Sequence, residues 1–287
     1  MLAWTAAIVM SPLLHAVPLP KIEKQGTIAE RTVFGGDVLT AAEAAERGAV
    51  IIDFTMGDRK SSCSGTLIHH NAAVLSAHCW RPWGSAGFQA QAVRFPGASG
   101  FETRPVRAGH GMLGFQPPER EGGAMTPDSD VGVLLFEGRA PAGYRPQRLL
   151  TEAALLSVGA EIEFVGGGKS LAGAEPDGSV RSVHLRIGQT REGVFSASSD
   201  PPGQAGGCAG DSGGAGFVMT PDGRVLAGIS SSSTHPDCSG AHRTSFASVP
   251  RYAAWVERER SRLQAWLDEG DARRMQERVG RIAGELP

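Results

Sequence analysis

From Val33 to about Val249, short apolar runs alternate with turn signals, and no fixed-period repeat is present. Runs of this length bounded by Gly, Pro, Asn and Asp are the pattern of strands rather than of helices. "AVIIDFTM", "GTLIHHNAAVLSA", "DVGVLLFE", "EIEFVGG", "VLAGISS" and "TSFASV" read as strands, and "PWGSAG", "PGASG", "PPEREGG" and "EPDGS" as turns or loops. "MTPDGRVLAGI" reads as a hairpin closed around Asp222-Gly223. The 39 glycines and 18 prolines, against 20% charged residues, fit an all-β chain of tight turns. A length of 287 residues suits one large domain or two small ones. A formal charge of −2 gives no footing for nucleic acid as a partner.

The two ends depart from this pattern. Residues 1–20, "MLAWTAAIVMSPLLHAVPLP", carry no charge and are broken by proline, too short a run to span a bilayer. They read as a secretory signal with Ala16 as a cleavage position, although no basic residue precedes the apolar core. Residues 21–32 are polar and read as a pro-segment. From Arg251 to Gly284 there is no proline and charge is dense. Val256, Leu263, Trp266, Leu267, Met275, Val279 and Ile282 follow a helical period, supported by Glu269–Arg273 and Glu277–Arg281 pairs. Gly270-Asp271 is expected to end one helix and cap a second. Residues 257–287 are thus a charged helical extension, docked on its own domain or on an unknown partner.

Four cysteines, at 63, 79, 208 and 238, allow three pairings. The sequence-local one, Cys63–Cys79 with Cys208–Cys238, closes two short loops, each worth about 3 kcal/mol in a chain-entropy model. Neither pair has the close spacing of a zinc site, and oxidised pairs imply an extracellular or periplasmic setting.

The chemistry centres on "CAGDSGGAGF", which sets Ser212 between an acid and two glycines. A serine hydroxyl is a poor nucleophile until a base takes its proton. His78 ends an apolar run and is followed by Cys79, whose disulfide would pin its backbone. "DSDVGVLLFE" puts Asp130 directly before a strand, where a buried carboxylate could fix a histidine tautomer.

"CSGTLIHHNAAVLSAHC", "SDVGVLL", "CAGDSGG" and "AGIS", in this order, resemble the trypsin-like serine proteases of chymotrypsin fold, over roughly Val33 to Val256. The Cys63–Cys79 spacing matches the first disulfide of that family. The resemblance implies two packed six-stranded antiparallel β-barrels dividing near residues 140–160, with the active site in the cleft between them. It implies His78 as general base, Asp130 as its orienter and Ser212 as nucleophile, with the amides of Gly210 and Ser212 as the oxyanion hole. Peptide-bond hydrolysis of this kind needs no cofactor and no metal, and its partners are polypeptide substrates and protein inhibitors. The chain departs from the family in Leu75-Ser76-Ala77 before the histidine, in Ala215 after "GDSGG", and in Ser232 where a tryptophan is common.

Two further sets of residues follow from the resemblance. The pocket floor is expected at Gly206, with Ser231, Ser233 and Thr244 as substrate-binding positions. A floor without an acid disfavours Arg or Lys, and side chains at Ser233 and Thr244 narrow the pocket towards small or medium uncharged residues. Glu preference, with Ser233 and His235 or His242 holding the carboxylate, is the competing expectation. "VFGG", Val33 to Gly36, matches the family's activation sequence, so that an amine freed within Arg31–Val33 would pair with Asp211 in a zymogen-type activation. Two rival readings stand beside the protease. "GDSGG" also satisfies the nucleophile elbow of α/β-hydrolases, but acid and histidine would then have to follow the serine. An inactive protease-like binding protein would normally have lost one of the three residues, and all three are present.

Overall fold

The computed structural model describes residues 33, 35–56, 59–80, 88–112, 127–169, 178–235, 238 and 243–284. The signal-like segment 1–20 and residues 21–32 lie outside the described residues. The structure has two closed, antiparallel, six-stranded barrels. A short edge strand, β1 (Asp37–Val38), precedes them. The first barrel is built from β2 (Ala49–Met56), β3 (Arg59–His69), β4 (Ala72–Leu75), β5 (Phe88–Gly97), β6 (Gly100–Gly111) and β7 (Gly132–Phe136), in the order β2-β3-β4-β7-β6-β5. The second is built from β8 (Glu161–Gly166), β9 (Arg181–Arg191), β10 (Val194–Ser198), β11 (Ala215–Thr220), β12 (Gly223–Ser233) and β13 (Thr244–Ser248). Its order is β8-β9-β10-β13-β12-β11, closed by the β11–β8 ladder, and β1 adds to β9.

Period-2 patterning fills each barrel. On β2, Val50, Ile52 and Phe54 enter one core with Leu67, Val93, Phe95, Leu134 and Phe136. Ile162 and Phe164 of β8 enter the other with Leu185, Ile187, Phe195, Ala227 and Phe246. There Phe246 is met edge-on by Phe164 at 5.3 Å and stacked by Phe195 at 4.9 Å. Gly228 leaves the room: a Cβ on it would lie 2.4 Å from the Phe195 ring. The hairpin between β11 and β12 turns on Pro221 and Asp222, because Thr220 pairs with Gly223, one residue from the expected centre. Gly223 itself takes φ +99°, which explains glycine at that position.

Among the described residues three α-helices and a 3-10 turn (Ala153–Leu155) complete the fold. Thr40 and Glu43 form a reciprocal capping box on α1 (Ala41–Glu46). Helix α2 (Ala77–Trp80) is a single turn, and α3 (Val249–Gly284) closes the chain. The expected break at Gly270-Asp271 is absent, and α3 runs through it as one helix. An interior glycine costs about 1 kcal/mol, whereas extending an existing helix needs no new nucleus. The helix is already anchored upstream: Val256, Leu263 and Leu267 share a core with Val74 and Val133 of the first barrel and Phe217 and Ile229 of the second. Polar contacts add to it, Asn71 donating to Gln264 at 2.8 Å and Glu259 meeting the His110 ring at 2.9 Å.

Replacing Phe246, which is fully buried, removes the ring that Phe164 and Phe195 enclose. Phe246→Ala is expected to lower unfolding free energy by about 3–5 kcal/mol, read from the midpoint of a guanidinium titration at unchanged slope.

Candidate active site

The single turn of α2 carries His78, and the Cys63–Cys79 disulfide ties that turn to β3. Asp130 lies just before β7 and is wholly buried. One carboxylate oxygen accepts the backbone N–H of His78 at 2.9 Å, and the other meets His78 Nδ1 at 2.8 Å. That second oxygen also accepts from Ser231 Oγ of β12 at 2.5 Å. Three hydrogen bonds converge on this buried carboxylate, and the one at Nδ1 directs the imidazole's Nε2 away from Asp130.

The loop before Asp130 is braced from α3. Ser129 takes φ +64°, a left-handed conformation that a non-glycine residue needs help to hold. Its N–H donates to Tyr252 Oη at 3.0 Å, and that hydroxyl donates in turn to Asp128. Gly193 of the β9–β10 turn permits the meeting, since a Cβ there would lie 2.5 Å from Asp128 Oδ1 and 2.8 Å from Tyr252 Oη.

Ser212 is half-buried in the loop before β11, and Cys208 of that loop is joined to Cys238. Its carbonyl accepts from Ser64 N of β3 at 2.8 Å, and the same peptide donates from Gly213 N to Ser230 O at 2.7 Å. Gly213 takes φ +85°, and a Cβ on it would strike Ser64 O at 2.2 Å and Ser76 N at 3.1 Å. The serine backbone is thus seated against the strand end that leads into His78. The structure joins His78, Asp130 and Ser231 by direct hydrogen bonds and holds the Ser212–Gly213 peptide between Ser64, next to Cys63, and Ser230, next to Ser231.

The amides around Ser212 have fixed directions. In a trans peptide N–H and C=O point opposite ways. Ala209 O accepts from Lys169 N at 2.8 Å, which orients the Gly210 N–H, and Asp211 O accepts from Gly214 N at 2.9 Å, which orients that of Ser212. Among the described residues neither of these two N–H groups has a backbone acceptor.

The expected pocket residues fall at the same end of the second barrel. Gly206 is buried. Thr244 is fully buried, and its Oγ1 accepts from Gly207 N at 2.8 Å. Ser233 is half-buried and pairs with Thr244 across the β12–β13 ladder. The Ser231 hydroxyl is committed to Asp130. His242 lies outside the described residues. Cys63, Cys79 and His78 bring possible ligand atoms within 4.8 Å of one another, but both sulfurs are consumed in a disulfide and offer no thiolate.

Asp211 is fully buried beside Ser212. Its two oxygens accept the N–H of Gly168 and of Cys208, each at 2.8 Å. Desolvation pushes this carboxyl up from its ordinary 3.8 to about 7, with the two N–H donors and the charge of Arg181 pulling it back. In this uncleaved chain Val33 is buried among Leu150, Leu156 and Ala205 of the second-barrel core.

Ser64 and Ser231 are the contacts to this site that sequence reasoning missed or placed differently. Ser64 sits in the "CSGTL" stretch next to a cysteine, and nothing local marks its side chain. The Trypsin family model matches residues 40–256 of the chain. No curated protein matches it.

Because the Asp211 carboxyl titrates higher in the folded chain than in the unfolded one, the folded state holds a proton that the unfolded state releases between about pH 4 and 7. The stability this proton contributes is present below about pH 4 and lost as pH rises towards 7. Denaturant unfolding at pH 5 and pH 8 should therefore show a larger drop for the wild-type chain than for Asp211→Asn.

Proposed function

The chain belongs to the trypsin family, and on that premise we propose that it is a serine endopeptidase in which His78, Asp130 and Ser212 act as a triad. The observation that carries the reading is the buried hydrogen-bonded chain Ser231–Asp130–His78, set beside a serine whose backbone is locked. Ser212 Oγ attacks the scissile carbonyl carbon and its proton passes to His78 Nε2. The carbonyl electron pair moves onto oxygen, facing the N–H groups of Gly210 and Ser212. Donors of this kind are worth roughly 3 kcal/mol each where one has been removed from a related site. Collapse expels the amine, which takes the proton from His78 and leaves an acyl-enzyme. Water repeats the sequence and frees the acid. Asp130 holds the Nδ1 proton and stabilises the imidazolium throughout.

The specificity reading rests on Gly206 and Thr244. A guanidinium entering a floor with no acid stays unpaired, at a cost of several kcal/mol. Thr244 Oγ1 accepts from Gly207 N and a Cβ on Gly207 would lie 3.2 Å from the Thr244 methyl, so this side chain takes up room beside Gly206, which supports a preference for small or medium uncharged side chains. The Glu-preferring alternative draws on one contact: His235 N donates to Ser233 Oγ at 3.4 Å, so those two residues adjoin.

Export and activation complete the proposal. Two disulfides suit an oxidising compartment, and among the described residues no helix is long and apolar enough to cross a membrane. Cleavage within Arg31–Val33 would free an amine whose charge, brought to Asp211, would offset the desolvation of that carboxylate. Residues 33–256 would form the protease domain, with 257–287 as its C-terminal extension, in which α3 continues to Gly284.

Ser212→Ala and His78→Ala should each abolish peptide-bond hydrolysis while leaving the far-UV spectrum near wild type; wild-type turnover by purified Ser212→Ala would reject the mechanism. Labelling by a phosphonate probe that depends on Ser212 separates an enzyme from an inactive binder. Among chromogenic peptides differing only in Ala, Phe, Glu or Arg on the acyl side, Ala should be turned over faster than Glu and Arg. Arg as the best substrate would overturn the pocket assignment, and Glu as the best would replace it with the Ser233–His235 alternative.

A further inference from the structure

Ser64 lies on β3 of the first barrel, yet all its polar atoms but the carbonyl reach segments of the second. Its side chain is buried, with 2% of the residue exposed. Its Oγ donates to Gly210 O at 2.9 Å and accepts from Gly167 N at 2.9 Å, and its own N–H donates to Ser212 O at 2.8 Å. One residue therefore holds the carbonyls on either side of Asp211 and, through Gly167, the loop 166–169 whose Lys169 N–H orients the Gly210 amide.

The consequence is geometric. Gly210 takes φ +94° and packs so closely on Gly168 that a Cβ would lie 2.9 Å from it. Glycine in this region has little intrinsic preference for one backbone orientation. The direction of the Gly210 N–H is then a matter of what holds the carbonyls around it. Lys169 N holds one side and Ser64 Oγ the other. Stabilising a developing oxyanion requires donors fixed before the charge appears, because a donor that must turn at that moment loses much of its worth.

We propose that Ser64 is a positioning residue for the oxyanion site: its hydroxyl, held by Gly167 N, locks the Gly210 carbonyl and with it the Gly210 and Ser212 amides. Ser64 touches no substrate atom and acts through these peptides. The proposal rests on the protease reading of the same site, and it concerns a residue that reading does not use.

The test compares Ser64→Ala with wild type by active-site-titrated kinetics, by affinity for a peptidyl trifluoromethyl ketone, and by amide hydrogen exchange. Addition of Ser212 Oγ to the ketone carbon sends the hydroxyl proton to His78 and the carbonyl electron pair to oxygen, which becomes an alkoxide at the oxyanion site. Ser64→Ala should lower kcat/KM by between about tenfold and a hundredfold, the scale of a small misplacement, with KM changed less than about twofold. Ketone affinity should fall by the same factor, while affinity for the matching peptide product holds. Exchange should quicken at residues 166–169 and 208–213 and stay unchanged in α3. Ser64→Cys, close in size and able to donate weakly, should fall between the two, and it serves as the reading variant should Ser64→Ala not fold.

Unchanged kcat/KM and unchanged exchange in the two loops overturn the proposal. So does a fall in kcat/KM with ketone affinity intact, since that places the effect elsewhere than at the oxyanion. A wild-type protein that neither cleaves peptides nor binds the ketone rejects the protease reading instead, and the exchange comparison then still decides whether Ser64 fixes the loop.

Discussion

The structure depends on burying one carboxylate. Asp130 is cut off from water, and an ionised carboxylate in that position is tolerable only with donors on it. The three it has come from different places: two from the turn that carries His78, one from Ser231 near the end of β12 in the second barrel. Each is held by something larger. The turn is fixed by a disulfide to β3, Ser231 by its place on β12, and Asp130 itself by the Ser129 turn that Tyr252 braces from α3. To satisfy one charge, both barrels and the C-terminal helix must adopt one mutual arrangement.

What was legible in the sequence follows from how local its cause is. β2 was readable because Val50, Ile52 and Phe54 alternate with polar or outward residues, and β7 and β8 because short apolar runs end at turn signals. β6, "GFETRPVRAGHG", carries charges at Glu102, Arg104 and Arg107 and a proline, and all of it but Gly111 is exposed or half-buried, so no apolar pattern announced it. The helical period of α3 was plain, but its continuity was not: Gly270 weakens a helix locally, and the anchoring at Val256, Leu263 and Leu267 that overrides it is tertiary. His78, Asp130 and Ser212 were found as ordered motifs. Their contacts were not readable, since Ser64 meets Gly210 across 146 residues and Ser231 meets Asp130 across 101.

Ser231 shows the limit most clearly. Its place near the pocket end of β12 suggested a substrate contact, whereas its hydroxyl is turned to Asp130. Strand register decides this, and β12 shifts register between Ser230 and Ser232, so that simple alternation mispredicts which way neighbouring side chains face. A run of four serines, "SSSS", offers no difference in size or polarity by which to place them from sequence.

The contacts that stitch the two barrels together at this site are nearly all made by serine. Ser64 Oγ reaches Gly210 O, Ser76 Oγ reaches Ser230 O at 2.6 Å, and Ser231 Oγ reaches Asp130. All three are buried. A serine hydroxyl is the shortest polar side chain available, so it loses little rotamer freedom when fixed and needs no room in the packed seam. A longer polar residue would have to displace the shared core that packs Val74 and Val133 against Ala215 and Ile229. The same economy explains the glycines that flank Ser212: with partners this short, the two main chains must come within direct hydrogen-bonding distance, and Gly213 has no Cβ to prevent it. Precision at Ser212, the proposed nucleophile, is therefore obtained from backbone held by small side chains on the opposite barrel.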